Sequence, residues 1–160
     1  AGRPEGEALA ALGAVCGALR GRPLTAVDLS DNALGQKGVR ACRAVLEGQA
    51  ELRSLRLCNN GLSAAAMEEV ADLLLFRTPT RLAALHFHNN MSGDGGARAL
   101  ARVLAHCPAL ADLRFSGTRA GREGSRAVAR ALAGRPGGFP ALTALDLADN
   151  AFAGGGEGEG

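Results

Sequence analysis

Two kinds of apolar spacing take turns along this chain. Five short stretches share one template: a leucine, two residues, an aliphatic, one residue, an apolar, two residues and a polar. They read LTAVDLSDN (24–32), LRSLRLCNN (52–60), LAALHFHNN (82–90), LADLRFSGT (110–118) and LTALDLADN (142–150). Within the first, Val27 and Leu29 alternate with Asp28 and Ser30, the period of two that sends side chains to opposite faces of a strand. Between the stretches the spacing becomes helical, as in Leu62, Met67, Val70 and Leu74, or Leu100, Val103 and Leu104. Another helix is predicted over 5–19, where Leu9, Leu12, Cys16 and Leu19 form one stripe behind Pro4 and Glu5. Ser63 and Asp94 stand where N-caps of their own helices are expected.

The first leucines of the template lie 28, 30, 28 and 32 residues apart. One strand and one full helix at this period make a leucine-rich repeat. The predicted fold is α/β: a crescent solenoid of about five repeats, with parallel strands on the concave side and helices on the convex side. One domain over 1–160 is expected: an N-terminal helix and connection (1–23), repeats at 24–51, 52–81, 82–109 and 110–141, then a truncated repeat with a Gly-rich tail (142–160). Asn32, Asn60, Asn90 and Asn150 end four templates, and Thr118 the remaining one. A short amide there can satisfy backbone groups in the turn. The chain opens on Ala1 rather than Met, closes on GGGEGEG and shows no solenoid cap at either end, so it reads as a piece of something longer.

Composition narrows the function. Aromatics are 3% and Trp and Tyr are absent, so the core is expected to be Leu, Ala and Val. A net charge of +2 without aromatic platforms argues against nucleic acid. Cys16, Cys42, Cys58 and Cys107 show neither CxxC nor zinc-type spacing and read as reduced thiols of a cytosolic or nuclear protein. There is no apolar run long enough for a membrane span.

Parallel stacking would align the concave rows Asp28, Arg56, His86, Arg114, Asp146 and Ser30, Cys58, His88, Ser116, Ala148. Cys58 with His86 and His88 suggests zinc or a thiol–imidazole nucleophile. Zinc needs three or four converging ligands, and a nucleophile needs an oxyanion hole and a group orienting the imidazole. A solvated face offering partner contacts is the simpler reading, and no metal is assigned. The stretches SGDGGA (92–97) and GREG (121–124) lack the Lys-Ser/Thr ending of a phosphate loop and read as turns. Asn59 is the spare amide of its doublet, placed at the rim, and Asn89 stands at the equivalent place one repeat on.

VDLSDNALGQKGVRA, LRLCNNG, LHFHNNMSGDGGARALA, LRFSGTRAGREGSRAVARAL and the opening AGRPEGEAL are together similar to the GTPase-activating proteins of the small GTPase Ran, in their plant and algal form. The resemblance covers Gly2 to about Phe152. It implies a protein that is not itself an enzyme: it binds Ran-GTP by the rim and speeds hydrolysis in Ran's own site. It also implies that an asparagine, matching Asn59, orients Ran's catalytic glutamine without an inserted arginine finger. The family's arginine ahead of the repeats matches Arg3 and supports binding and positioning. Asp28, Asp31, Arg56, His86, His88 and Asn89 are the expected partner contacts. No cofactor is implied, since GTP and Mg belong to Ran, and a Ran-binding protein is a candidate third member of a complex. The implied location is cytoplasmic, including the cytoplasmic face of the nuclear envelope. The competing expectation is a ribonuclease-inhibitor-like scaffold that binds protein without affecting turnover. More repeats than five, an acidic tail and a targeting domain are features of the family that this chain does not carry.

Overall fold

The computed structural model describes residues 2–152, with side chains from residue 5 onward. Its elements are α1 (Gly2–Ala18), β1 (Ala26–Asp28), α2 (Gly35–Ala41), α3 (Arg43–Leu46), β2 (Ser54–Arg56), α4 (Ala64–Leu74), β3 (Ala84–His86), α5 (Gly93–Leu104), β4 (Asp112–Arg114), α6 (Arg122–Gly134) and β5 (Ala144–Asp146). The strands form one parallel sheet in chain order, β1 to β5. Its register sets Asp28, Arg56, His86, Arg114 and Asp146 side by side, the concave row read from the templates.

Between sheet and helices the template's apolar positions stack into columns. Leu55, Leu85 and Leu113 are fully enclosed. The next column is bulkier than the composition led us to expect, because Phe87 and Phe115 are its largest buried side chains and stand beside Leu57. Complete burial of one such side chain is worth about 1.5–3 kcal/mol, so these columns dominate cohesion. Outside, exposed pairs join neighbouring helices: Arg40 to Glu69, Arg102 to Asp72 and Arg98 to Glu123, each at 2.8 Å. Exposed pairs add little individually. All four cysteines are free and buried. Burial and the neighbouring Cys16 push Cys42 up to about 12, and burial pushes Cys107 up to about 11.

Three expectations change. The first repeat does not carry one full helix. At Cys42 the backbone N–H is shared between Gly38 and Val39 carbonyls, tightening the turn, and α2 gives way to the short α3. Asp94 does not cap its own helix. It lies in the first turn of α5, and its Oδ1 accepts from the N–H groups of Gly121 (2.7 Å) and Gly124 (2.9 Å), capping α6 of the next repeat. A Cβ at Gly124 would meet that oxygen at 2.5 Å, which explains the glycine. Ser63 does cap α4, accepting from Ala66 N–H at 3.2 Å. Finally, the two ends differ. Helix α1 packs on α2 and α3, and Val27 at the first strand is 8% exposed, whereas Leu145 at the same template position in β5 is 51% exposed.

Candidate functional site

As each strand ends, its last template positions turn the chain toward the helix. The penultimate position is left-handed in every repeat: Asp31 (φ 62°), Asn59 (52°), Asn89 (56°), Gly117 (60°) and Asp149 (54°). Among non-glycine residues, Asn and Asp bear this conformation most easily. The first asparagine of each doublet therefore has a backbone reason to be there, apart from any partner. Loop tips dock in series: Asp31 N–H donates to Cys58 O (3.0 Å), Asn59 to His88 (3.1 Å), Asn89 to Ser116 (2.9 Å) and Gly117 to Ala148 (3.0 Å).

The second asparagine serves the repeat before its own. Asn90 Oδ1 accepts from the N–H groups of Asn60 (3.0 Å) and Leu62 (3.1 Å). Its Nδ2 donates to the carbonyls of Leu57 and Phe87. Asn60 likewise accepts from Asn32 N–H and donates to Leu29 O. This ladder is enclosed, with Asn60 at 0% and Asn90 at 2% exposure.

Asn59 is exposed, and its Nδ2 donates to Asp31 Oδ1 at 2.9 Å. Asn89 leans the other way: a Cβ at Gly117 would meet its Oδ1 at 2.9 Å, which suits that position to glycine. Asp28, Arg56 and Arg114 are exposed on the neighbouring concave row, and His88 is half-buried. Ser30, through its N–H and hydroxyl, holds the Asp28 carboxyl below its ordinary range, with help from Arg56 and His86.

His86 departs from its expected place on a solvated face. It is 6% exposed, and its Nε2 pairs with Asp112 Oδ2 at 2.8 Å, so Asp112 and Arg114 are what a partner meets there. Burial pushes the Asp112 carboxyl up, but the bonds from His86 and Arg114 outweigh it and the net shift is downward. Cys58 Sγ lies 3.2 Å from His88 Nδ1. Burial raises that thiol against the opposing bonds from Ser30 and His88, which keeps it protonated and poorly nucleophilic at neutral pH. Among the described residues no group of three or more His, Cys, Asp or Glu converges as metal ligands. The side chain of Arg3 lies outside the described residues. A hollow of about 520 Å³ lined by Arg20, Arg22, Arg43, Arg77 and Phe76 opens at the opposite rim, remote from Asn59.

Sequence reasoning missed the Asp31–Asn59 and His86–Asp112 pairs. Reading down the penultimate column (Asp, Asn, Asn, Gly, Asp) would have exposed the left-handed row, because those types share that tolerance. No comparable signal marks His86 and Asp112, which occupy different template positions in adjacent repeats.

Stacked strand–turn–helix units bound by an asparagine ladder make this chain a leucine-rich repeat solenoid. The family described as Leucine Rich repeat matches residues 22–41. The chain is similar to Ran GTPase-activating protein 1 of Arabidopsis thaliana, 47% identical over 57 residues, which are 36% of this chain and 11% of that relative. To Ran GTPase-activating protein 2 of the same plant it is 51% identical over 55 residues, 34% of this chain and 10% of that relative. Its repeats thus resemble the leucine-rich repeat region of those activators, and the match spans about a tenth of their length. Ribonuclease inhibitor of Sus scrofa is 39% identical over 98 residues, 60% of this chain and 21% of that protein. A solved structure of leiomodin-1 actin-binding site 2 superposes with a TM-score of 0.64 at 19% identity, covering 88% of this chain and 77% of that one, a likeness of fold alone. Among the described residues no helix is long and apolar enough to cross a membrane.

Proposed function

We propose that this chain is a GTPase-activating repeat region that docks Ran in its GTP form along the Asn59 rim. Its identity of about half with the two Arabidopsis activators over about a third of the chain is the observation that carries the reading. Hydrolysis of GTP depends on orienting water and stabilising spread-out charge, with little covalent work for protein groups. The activator therefore needs no active site of its own. Asn59 holds the GTPase's catalytic glutamine in a productive pose, and no arginine is inserted. Arg3, matched by motif, supports association. Asp28, Arg56, His88 and Asn89 complete the contact set, while His86 acts through Asp112 and Asp31 through Asn59. GTP and Mg enter with the GTPase. A Ran-binding protein can join as a third component, and the setting is cytoplasmic, including the outer face of the nuclear envelope, in nucleocytoplasmic transport.

Positioning can supply the size of effect required. An activated Ras-type GTPase gains roughly 10⁵-fold, or about 7 kcal/mol, and effective-molarity arguments reach that order. Aspartate could not replace Asn59, since it would set a second carboxylate against Asp31 and bring negative charge toward phosphate.

Single-turnover GTP hydrolysis by Ran, with and without the chain and its Asn59→Ala variant, tests the reading. Strong stimulation that collapses in the variant is expected. Absence of stimulation by the folded chain, with no preference for Ran-GTP over Ran-GDP in a pull-down, would refute it. The longer match to ribonuclease inhibitor, over 60% of the chain, favours a second reading as a plain protein-binding scaffold. Binding would then ignore both Asn59 and nucleotide state.

A further inference from the structure

Asn59 is one of two carboxamides in the left-handed row, and a carboxylate from the preceding repeat restrains it. Asp31 and Asn59 occupy the same template position one repeat apart, with φ of 62° and 52°. Backbone bonds from Asp31 to Cys58 O and from Asn59 to His88 O fix the two loop tips side by side. Across that gap Asn59 Nδ2 donates to Asp31 Oδ1 at 2.9 Å. An amide alone is ambiguous, since its oxygen and nitrogen exchange places by a half-turn. A carboxylate removes the ambiguity, because it can only accept. The nitrogen must face Asp31, and Oδ1 must face away.

We infer that Asp31 is a positioning residue that presents Asn59 to the partner oxygen-first. The inference rests on the proposed activation of a GTPase through its glutamine. Oxygen-first presentation has a chemical consequence there. Asn59 Oδ1 takes a hydrogen bond from the glutamine's amide nitrogen, leaving the glutamine's own oxygen free to accept from the attacking water. With the amide reversed, Asn59 Nδ2 would donate to the glutamine oxygen and compete with the water for its lone pairs. Asp31 selects the productive orientation and need not touch the GTPase. Asn89 follows Asn59 in this row, an amide rather than a carboxylate, and so lacks an acceptor-only neighbour in the preceding repeat.

Substitutions at both positions can keep the backbone. Glycine and asparagine tolerate the left-handed region, so Asp31→Gly removes the carboxylate without strain, and Asp31→Asn keeps an oxygen able to accept. Single-turnover hydrolysis by Ran-GTP would be followed with the full chain, Asp31→Gly, Asp31→Asn, Asn59→Gly and the double glycine variant. Asp31→Gly is expected to lower the maximal stimulated rate about tenfold while the half-saturating concentration stays within about twofold, and Asp31→Asn to restore only part of the rate, because its amide pairs with either orientation of Asn59. The double variant should match Asn59→Gly alone, because a positioning residue has nothing left to position. A further loss in the double variant would make Asp31 a direct contact and overturn the inference. So would a wild-type rate in Asp31→Gly, with the activating function left standing. Failure of the unmodified chain to stimulate at all would remove that function along with this role. The Asn59 side-chain amide resonances give a readout without the GTPase: they should move in Asp31→Gly, and unmoved resonances would sink the orientation argument.

Discussion

Asn59 and Asn60 are neighbours in sequence and opposites in physics. Asn60 and its counterpart Asn90 are enclosed, and their amides replace water for backbone groups of adjoining repeats. Asn59 stands in solvent, where its backbone conformation would be served by glycine and its amide is tied to a single carboxylate. One row binds repeat to repeat. The other faces solvent from tips joined in series by their own backbone bonds. The lesson is that the doublet divides labour by depth, and depth is set by which residue closes the strand.

The largest effect should come from breaking the inner row. Asn90→Ala would leave two buried N–H groups without their acceptor and two carbonyls without a donor. At about 1–3 kcal/mol per orphaned group, with partial relaxation, a loss of roughly 3–5 kcal/mol is expected. Urea unfolding would register it as a lower midpoint at unchanged slope. A cost under about 1 kcal/mol would mean that water replaces the amide easily and that the ladder is not what joins the repeats.

The same comparison predicts the reverse at Asn59. Asn59→Gly retains the left-handed tip and removes the amide, so stability should stay within about 0.5 kcal/mol of wild type. Stimulated hydrolysis should fall by roughly 10²-fold, the scale of losing one pre-organised polar group near a transition state. Asn59→Ala would add a backbone penalty of about 1 kcal/mol. If the glycine variant were as unstable as the alanine one, the outer row would also be structural and the division of labour would fail.

A smaller effect lies on the concave face. The folded pKa of Asp112 lies below its ordinary value, so its contribution to stability is complete above about pH 4 and is lost as pH falls through the folded value. Asp112→Asn should therefore flatten the acid limb of the stability profile and alter little near pH 7 beyond a constant offset. An acid limb identical to wild type would show that the pairing with His86 and Arg114 adds nothing to folding.

How much of this could be read beforehand follows from where each partner lies. The solenoid, its strand positions and the concave row Asp28, Arg56, His86, Arg114, Asp146 were legible because each depends on a template repeated in one chain. Ser63 was legible as a cap because its donor, Ala66 N–H, is three residues away. Asp94 was misread because its donors sit one repeat later, at Gly121 and Gly124, beyond any local pattern. His86 looked solvent-facing because its row is, and only the adjacent strand supplies the Asp112 that covers it. Even the ladder was half-read: an amide satisfying a turn was foreseeable, but not that the turn belongs to the preceding repeat.

The ladder's one substitution offers the mildest test. Thr118 is fully buried where the other repeats have asparagine, and its hydroxyl reaches Asn150 Oδ1 at 3.0 Å and Phe115 O at 3.4 Å. Both partners lie in its own or the following repeat, whereas Asn60 and Asn90 each bind the repeat before. Thr118→Asn lengthens the side chain enough to reach back to the third repeat as Asn90 reaches to the second. If ladder continuity governs cohesion, the variant should gain about 1 kcal/mol, seen as a higher urea midpoint. A loss would mean that the pocket beside Asn150 is shaped for a hydroxyl, and that the inner row tolerates a gap because packing of Phe87 and Phe115 joins these two repeats unaided.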